Sequence, residues 1–531
     1  MSKPMIKKLT GWLAIATFVV AINCAIGQQQ EQAVVARMHF AGTDFIKANK
    51  ESEHLNKVLS LNETETLKKQ VFKQLAIAID KEFRTDNQNK DDLSLPYIEP
   101  LLDDVMKNEW YFIVASKNGV VSEIFLGISL NEAKANLWNT NLSKAVEIWG
   151  KSKVSPKMFD NFNGWEGKVS KKFNTIRFSH SGTWSFIGLT TDKFNIYDEM
   201  IKKFNSSHSL GSFNSNNWFE AELDLAWLSG AINSPLGGAR SASIAMLSKG
   251  GDVRTFITLR YPLQLKWKYE PWMPPKGLIT DPIVSFTAIN GSASLLNEIE
   301  IIKKLNIQNL PNQMFLWAQG TIPFATFFGA PFNDATNLMK DLAIKLPPLL
   351  IGTNGISRDG NIFWFSNKAE IVWHGLPLMT PFLRATSDSG RQYIVGGLFA
   401  AAQPGKTPAP SELWNQLINR TNLMYYDWEF TQERLLQWMQ IYQFLPLFTK
   451  VPQVPESKPG QKWLQKISAE LGDAATEITL KNPNEVLIIR RSSIGFVGFE
   501  LLHLARWFDS PAFPYKEPAG QQLSPAPTKK K

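Results

Sequence analysis

One block of this sequence occurs twice, 202 residues apart. Phe125-Leu126-Gly127-Ile128-Ser129-Leu130-Asn131-Glu132-Ala133 is matched in register by Phe327-Phe328-Gly329-Ala330-Pro331-Phe332-Asn333-Asp334-Ala335. The surroundings recur too. A strand pattern over 110–115, the pair Asn118-Gly119 and a second strand to Phe125 precede the first copy. Asn-Gly favours a tight hairpin because both central residues of that turn need positive φ. A strand over 314–318, Gln319-Gly320 and a strand to Phe328 precede the second copy. Helical spacing follows each, in Leu130, Ala133 and Leu137 and in Phe332, Ala335 and Met339. Ser129 and Pro331 suit the two helix starts. A looser element, aromatic-x-Gly-apolar, closes hairpins at 186–189, 373–376 and 496–499, each followed by a helix-like stretch. Their turns are Ser181-Gly182, Ser366-Asn367-Lys368 and Asn482-Pro483-Asn484. Glycine there reverses the chain at low steric cost.

The expected fold is therefore α+β, built of duplicated antiparallel ββα modules with helices packed on one face of the sheets. Residues near 108–230 and 312–402 each hold two units, and a diverged region spans about 421–508. That region opens with a strand over 423–430 and an amphipathic helix over 431–443. For the looser copies the alternative stays open that any α+β chain shows hairpins before helices. At 531 residues the chain is too long for one compact core, so several domains are expected. The divisions are 1–27, a signal peptide or N-terminal anchor; 28–107, helical, with a helix near 63–82; 108–270, a first α+β domain; 278–403, a second one duplicating part of the first; 412–510, a diverged α+β module; and 511–531, a disordered Pro- and Lys-bearing tail. Residues 218–225 alternate, with Phe219, Ala221, Leu223 and Leu225 inward and Glu220, Glu222 and Asp224 outward, as in a half-solvated antiparallel strand.

The formal charge is +9, but Lys3, Lys7 and Lys8 sit in the leader and Lys529, Lys530 and Lys531 in the tail. Removing those six leaves +3, so no basic body points to nucleic acid. The lysine tail reads as a solubilising end, with contact to anionic lipid or an acidic polymer as the alternative. The leader has a basic start and an apolar run to about Ile26, the pattern of an export signal or an uncleaved anchor. Either way, the positive-inside bias places residues 28 onward outside the cytoplasm, in the periplasm or cell envelope. Membrane contact through the N-terminal segment is expected if it stays attached. The single cysteine, Cys24, lies in that leader, which excludes an intrachain disulfide and a cysteine zinc site. Asn23 before it is a poor residue for a lipidation signal.

No motif selects a catalytic centre. Ala400 through Thr407 meets a permissive phosphate-loop spacing, but Pro404 removes a backbone donor and Pro408 and Pro410 oppose the helix such a loop needs. Glu51 with His54 and Glu500 with His503 share a helix-face spacing, without the further acids a di-iron site requires. Ser179-His180-Ser181-Gly182 is ordinary turn chemistry, and His374 beside Gly375 reads as a junction residue. Phe363-Trp364-Phe365 with Trp373 forms a strand pair apolar on both faces, either core or a groove for an apolar or saccharide ligand. No catalytic, cofactor-binding or metal-binding residue is assigned, and no cofactor is expected.

The stretch Asn422-Leu423-Met424-Tyr425-Tyr426-Asp427-Trp428-Glu429-Phe430-Thr431-Gln432-Glu433-Arg434-Leu435 resembles segments of large, uncharacterised exported bacterial envelope proteins, as does Arg491-Ser492-Ser493-Ile494-Gly495-Phe496. The resemblance covers the C-terminal third and implies an envelope setting. The expected function is an exported, non-catalytic binding or scaffold protein, more in keeping with a non-enzyme. Its partner would be an envelope protein, a polymer or an apolar ligand. A lipid carrier with a cavity lined by aromatic strand residues is the alternative, and a hydrolase using dispersed carboxylates stands behind it.

Overall fold

The computed structural model describes residues 32–84, 94–169, 173–211, 214–232, 238–265, 267–320, 325–351, 360–376, 379–399, 407–444 and 457–515. The leader with Cys24, most of the phosphate-loop-like stretch and the lysine tail lie outside them. Among the described residues twenty strands form: β1 Ala33–Phe40, β2 Trp110–Lys117, β3 Val120–Ser129, β4 Ser155–Phe159, β5 Phe162–Lys168, β6 Thr175–Ser181, β7 Trp184–Thr190, β8 Phe219–Asp224, β9 Ser241–Lys249, β10 Asp252–Arg260, β11 Ile283–Asn290, β12 Gln313–Gln319, β13 Thr326–Pro331, β14 Asn361–Phe365, β15 Glu370–His374, β16 Phe382–Asp388, β17 Arg391–Gly397, β18 Leu423–Phe430, β19 Asp473–Asn482 and β20 Glu485–Ser492. At the β2–β3 turn Asn118 and Gly119 both have positive φ, at 57° and 78°, as the tight hairpin demands.

All twenty strands belong to one sheet. Every strand pairing within it is antiparallel. The order is β4-β5-β6-β7-β3-β2-β1-β8-β9-β10 and then β20-β19-β18-β11-β12-β13-β17-β16-β15-β14. Adding ten to each label of the first set gives the second, read from the opposite end. The halves meet where β10 pairs with β20. A single row of directly opposed residues crosses this seam. From Phe256 it runs through Ala245, Glu220, His39, Tyr111 and Gly127. From Ile489, which faces Phe256, it runs through Glu477, Tyr426, Ala288, Phe315 and Gly329. Gly127 and Gly329 thus stand at matching places on either side of the seam.

Directly opposed residues share a face, so these rows sort the core. On the face of Gly127, helix Ile196–Ser207 packs Tyr197, Met200, Ile201 and Phe204 onto Phe125, Phe186, Phe159 and Phe162. At the other end the same face carries Trp414 and Leu417 beside Phe286, Phe315 and Tyr426. On the opposite face helix Glu132–Gly150 buries Trp138, Leu142, Val146 and Trp149 with Ile187, Ile176 and Phe178. Helix Ala335–Leu350 packs there on Ile371 and Ile394. Neighbours Phe186 and Ile187 therefore face different helices. Helices cover both faces, not one as the sequence pattern suggested, because strands buried on both sides need cover on both.

Other expectations also shift. Residues 33–40, read as part of a helical region, form β1 at the inside of the sheet, whereas the helix expected near 63–82 is present as Asn62–Phe83. The glycine at 375 has φ of 89°, but strand β16 follows it rather than a helix. The helices after the repeated block are capped by Asn131, accepting from the Lys134 N–H at 3.0 Å, and by Asp334, accepting from Asn337, and not by Ser129 and Pro331.

Candidate ligand cavity

Glu123 on β3 is fully buried, and its carboxylate decides where the 196–207 helix begins. It accepts the backbone N–H groups of Asn195, Ile196 and Tyr197 at 3.0, 3.0 and 2.8 Å. Three donors that the helix leaves without internal partners meet one anion at the positive end of the helix dipole. The helix then lies flat because the strands beneath carry glycine. A Cβ on Gly188 would sit 2.5 Å from the Tyr197 ring, and one on Gly127 would sit 2.5 Å from Leu210. The Tyr197 hydroxyl meets Ser179 Oγ at 2.7 Å.

Along the first two turns of this helix, at Ile196, Glu199, Met200 and Lys203, the sheet and helix leave between them a cavity of about 550 Å³. That size is typical of small-molecule sites. Its floor is two cross-strand rows. One holds Ile113, Arg37, Glu222, Ser243 and Thr258, and the other Tyr111, Glu220, Ala245 and Phe256. The roof is Ile196, Glu199, Met200, Lys203 and Leu210. Arg37, Glu199, Lys203 and Glu222 are exposed at the mouth, whereas Ile113, Met200 and Leu210 are buried. Among the described residues none of those four charged side chains takes part in an ion pair. The Lys203 ammonium donates to the Leu210 carbonyl at 3.0 Å, and Glu220 accepts from the Asn214 N–H at 3.2 Å.

At the matching place across the seam the same three positions are aromatic. Ile113, Arg37 and Glu222 stand opposed on β2, β1 and β8, whereas Trp317, Phe286 and Trp428 stand opposed on β12, β11 and β18. Trp414 closes on Phe286 edge-on at 5.6 Å, and Phe286 is fully buried. The other half is a packed core where this one is open.

On the opposite face the polarity is reversed. β8 presents Phe219, Ala221 and Leu223 there, while β18 presents Tyr425, Asp427 and Glu429. Thr287 Oγ1 donates to Asp427 at 2.6 Å, and the Gly498 N–H donates to Glu429 at 2.7 Å. Arg490 donates to Glu500 at 2.6 Å and to Thr476 at 2.9 Å. Arg434 donates to Gln437, whose amide donates to the Gln319 carbonyl. Burial, then the neighbouring Asp427, pushes the Glu429 carboxyl up to about 7, and burial raises Asp427 as well. This cluster holds helix Gly498–Phe508 on the sheet and lines neither the cavity above nor the wider one below.

That second cavity, of about 940 Å³, lies beside the start of the 335–350 helix. Its polar walls already bond one another: Asn337 to Asp334, Gln392 to the Ala335 N–H, Asn312 to the Lys268 carbonyl.

Among the described residues the motifs noted in the sequence do not assemble into a site. Glu500 bonds Arg490 while His503 bonds the Tyr442 hydroxyl at 2.9 Å. Glu51 accepts from the Gly250 N–H, and His54 stands 4.0 Å from Asp252. His180 pairs with Ser185 at 3.0 Å, and His374 rests edge-on to Phe363. Phe363 and Phe365 are exposed on strand β14, far along the sheet order from the cavity. Among the described residues no three His, Cys, Asp or Glu side chains gather as a metal site. Among the described residues the cavity does not have the aromatic strand lining expected for a carrier, Tyr111 and Phe256 being the rings that line it. Its charged floor was visible as the polar side of the 218–225 alternation, but the helix above it was not.

No protein-family model matches the chain, and no curated protein matches it. Among solved structures it is similar to TP0453 in three crystal forms. Form IV is 11% identical over 43% of this chain and 77% of that one. Form III is 10% identical over 47% and 87%, and form I 9% identical over 45% and 78%. The TM-score is 0.23 in each, too low to carry an argument about fold or function. Among the described residues no helix is long and apolar enough to cross a membrane.

Proposed function

We propose that this chain is an exported, non-catalytic binding protein of the cell envelope, and that its ligand, an apolar or amphiphilic small molecule, occupies the cavity under the 196–207 helix. The observation that carries this reading is the contrast between the halves. Where Trp317, Phe286, Trp428 and Trp414 fill one, Arg37, Glu222 and Met200 leave the other open. An open concavity of this size, with an apolar end and charged side chains at its mouth, is the usual form of a small-molecule site. The matched strand order also supports the reading that 108–270 and 278–403 descend from one copied ββα block, one copy keeping a packed core and the other a binding site.

The test is titration of the purified full chain with the neutral probe N-phenyl-1-naphthylamine. Fluorescence should rise saturably, and Ala245→Trp, which fills the floor, should abolish the rise without unfolding the protein. An unchanged signal in Ala245→Trp would place the probe elsewhere and sink the assignment. Export is tested separately, by mass spectrometry of the mature N-terminus and by fractionation. A second reading rests on three carboxylates converging at the cavity, Glu199, Glu220 and Glu222. A hydrolase using them would lose turnover in Glu222→Gln while still binding ligand.

A further inference from the structure

The cavity's charges sort its ligands further, on the strength of the binding reading above. Its deep wall is apolar and adaptable, with Ile113, Leu210 and Met200, the last an unbranched side chain that fits irregular chains. Its mouth carries both signs in alternation. Arg37 and Glu222 are directly opposed on β1 and β8, and Glu199 and Lys203 lie one turn apart on the helix above. Directly opposed strand residues and helix residues four apart are the two arrangements that most readily form ion pairs. Among the described residues neither pair closes to ion-pair distance. Two cations and two carboxylates are thus held at one opening. Lys203 gives one of its three N–H donors to the Leu210 carbonyl, and Glu220, the fifth charge, is engaged by Asn214 and Asn217.

We infer that the ligand is a single-chain zwitterionic amphiphile, with its acyl chain in the apolar end and a headgroup bearing phosphate and ammonium at the mouth. Arg37 and Lys203 would donate to the phosphate, and Glu222 and Glu199 would accept from the ammonium. An anionic amphiphile satisfies the cations but faces two unmatched carboxylates, and a cationic one does the reverse. A volume of about 550 Å³ takes one chain with its head rather than a diacyl lipid.

The experiment is displacement of N-phenyl-1-naphthylamine from the full chain by lysophosphatidylethanolamine, lysophosphatidylglycerol and dodecylamine, each below its micelle threshold. Lysophosphatidylethanolamine should displace about tenfold more tightly than the other two, the worth of one charge-assisted contact. Arg37→Glu and Glu222→Arg should each remove that preference, and the doubly exchanged protein should recover it. Both side chains are exposed, so circular dichroism of the variants should match the parent. Equal displacement by all three, or a preference indifferent to the charge exchange, overturns the inference while leaving the binding reading intact. Failure of the probe to bind at all overturns the binding reading instead.

Discussion

Glu429 is 6% exposed and accepts the first N–H of the 498–508 helix, yet its carboxyl is pushed up to about 7. A group whose folded pKa exceeds its unfolded one binds extra protons in the native state. Its contribution is therefore full below about 4.5 and is lost as pH rises toward 7. The swing is on the order of 3 kcal/mol, since a tenfold change in proton affinity is worth about 1.4 kcal/mol. Burial pushes His503 and His180 down, and they act in the opposite sense over this range, so the effect is read as a difference: by urea unfolding, the stability of Glu429→Gln relative to the parent should rise from pH 5 to pH 8. An unchanged slope in Glu429→Gln would assign the effect to another group, Asp427 being the first to examine. The sequence displayed Tyr425, Asp427 and Glu429 as the polar side of a strand, which ordinarily means solvent. Helices 431–444 and 498–508 cover that side instead, and Arg490, Arg434 and Thr287 make the burial tolerable.

The 196–207 helix depends on an acid outside itself. The two carboxylate oxygens of Glu123 accept three N–H groups at its start, while the helix's own apolar side supplies the packing. Glu123→Ala should cost about 2–4 kcal/mol by urea unfolding, because buried donors lose a charged acceptor. It should also weaken probe binding, because the roof of the cavity loses its register. A loss of stability below about 0.5 kcal/mol would mean that the aromatic contacts alone position this helix. At the same scale the sheet's two ends differ. β4 carries Pro156 and Lys157, which discourage pairing with another chain, whereas β14 is Asn361-Ile362-Phe363-Trp364-Phe365. Elements with strong local signals were legible: the Asn118-Gly119 hairpin, the 62–83 helix and the alternation of β8. β1 was not, because 33–40 runs Ala-Val-Val-Ala-Arg-Met-His-Phe without clean alternation.

Across the molecule, the β10–β20 pairing and a second set of contacts bind the two halves. Val58 and Leu67, from the N-terminal helices, pack with Leu464, Leu501 and Ala505 from the C-terminal ones. A continuous sheet stitched again by helices should unfold cooperatively, so calorimetry of the full chain should give one main transition with matching calorimetric and van't Hoff enthalpies. Two well-separated transitions would show that the seam does not couple the halves. By itself the sequence determined the local grammar: where strands turn and which stretches are helical. Those features follow from φ preferences and side-chain periodicity, which act over a few residues. Only the tertiary structure decided that Val253 and Ser492 are partners, that Glu220 and Glu222 face a roofed cavity rather than open water, and that the same strand position is charged in one half and aromatic in the other. Such outcomes depend on which distant strand or helix closes over a face, and periodicity within one strand carries no information about that.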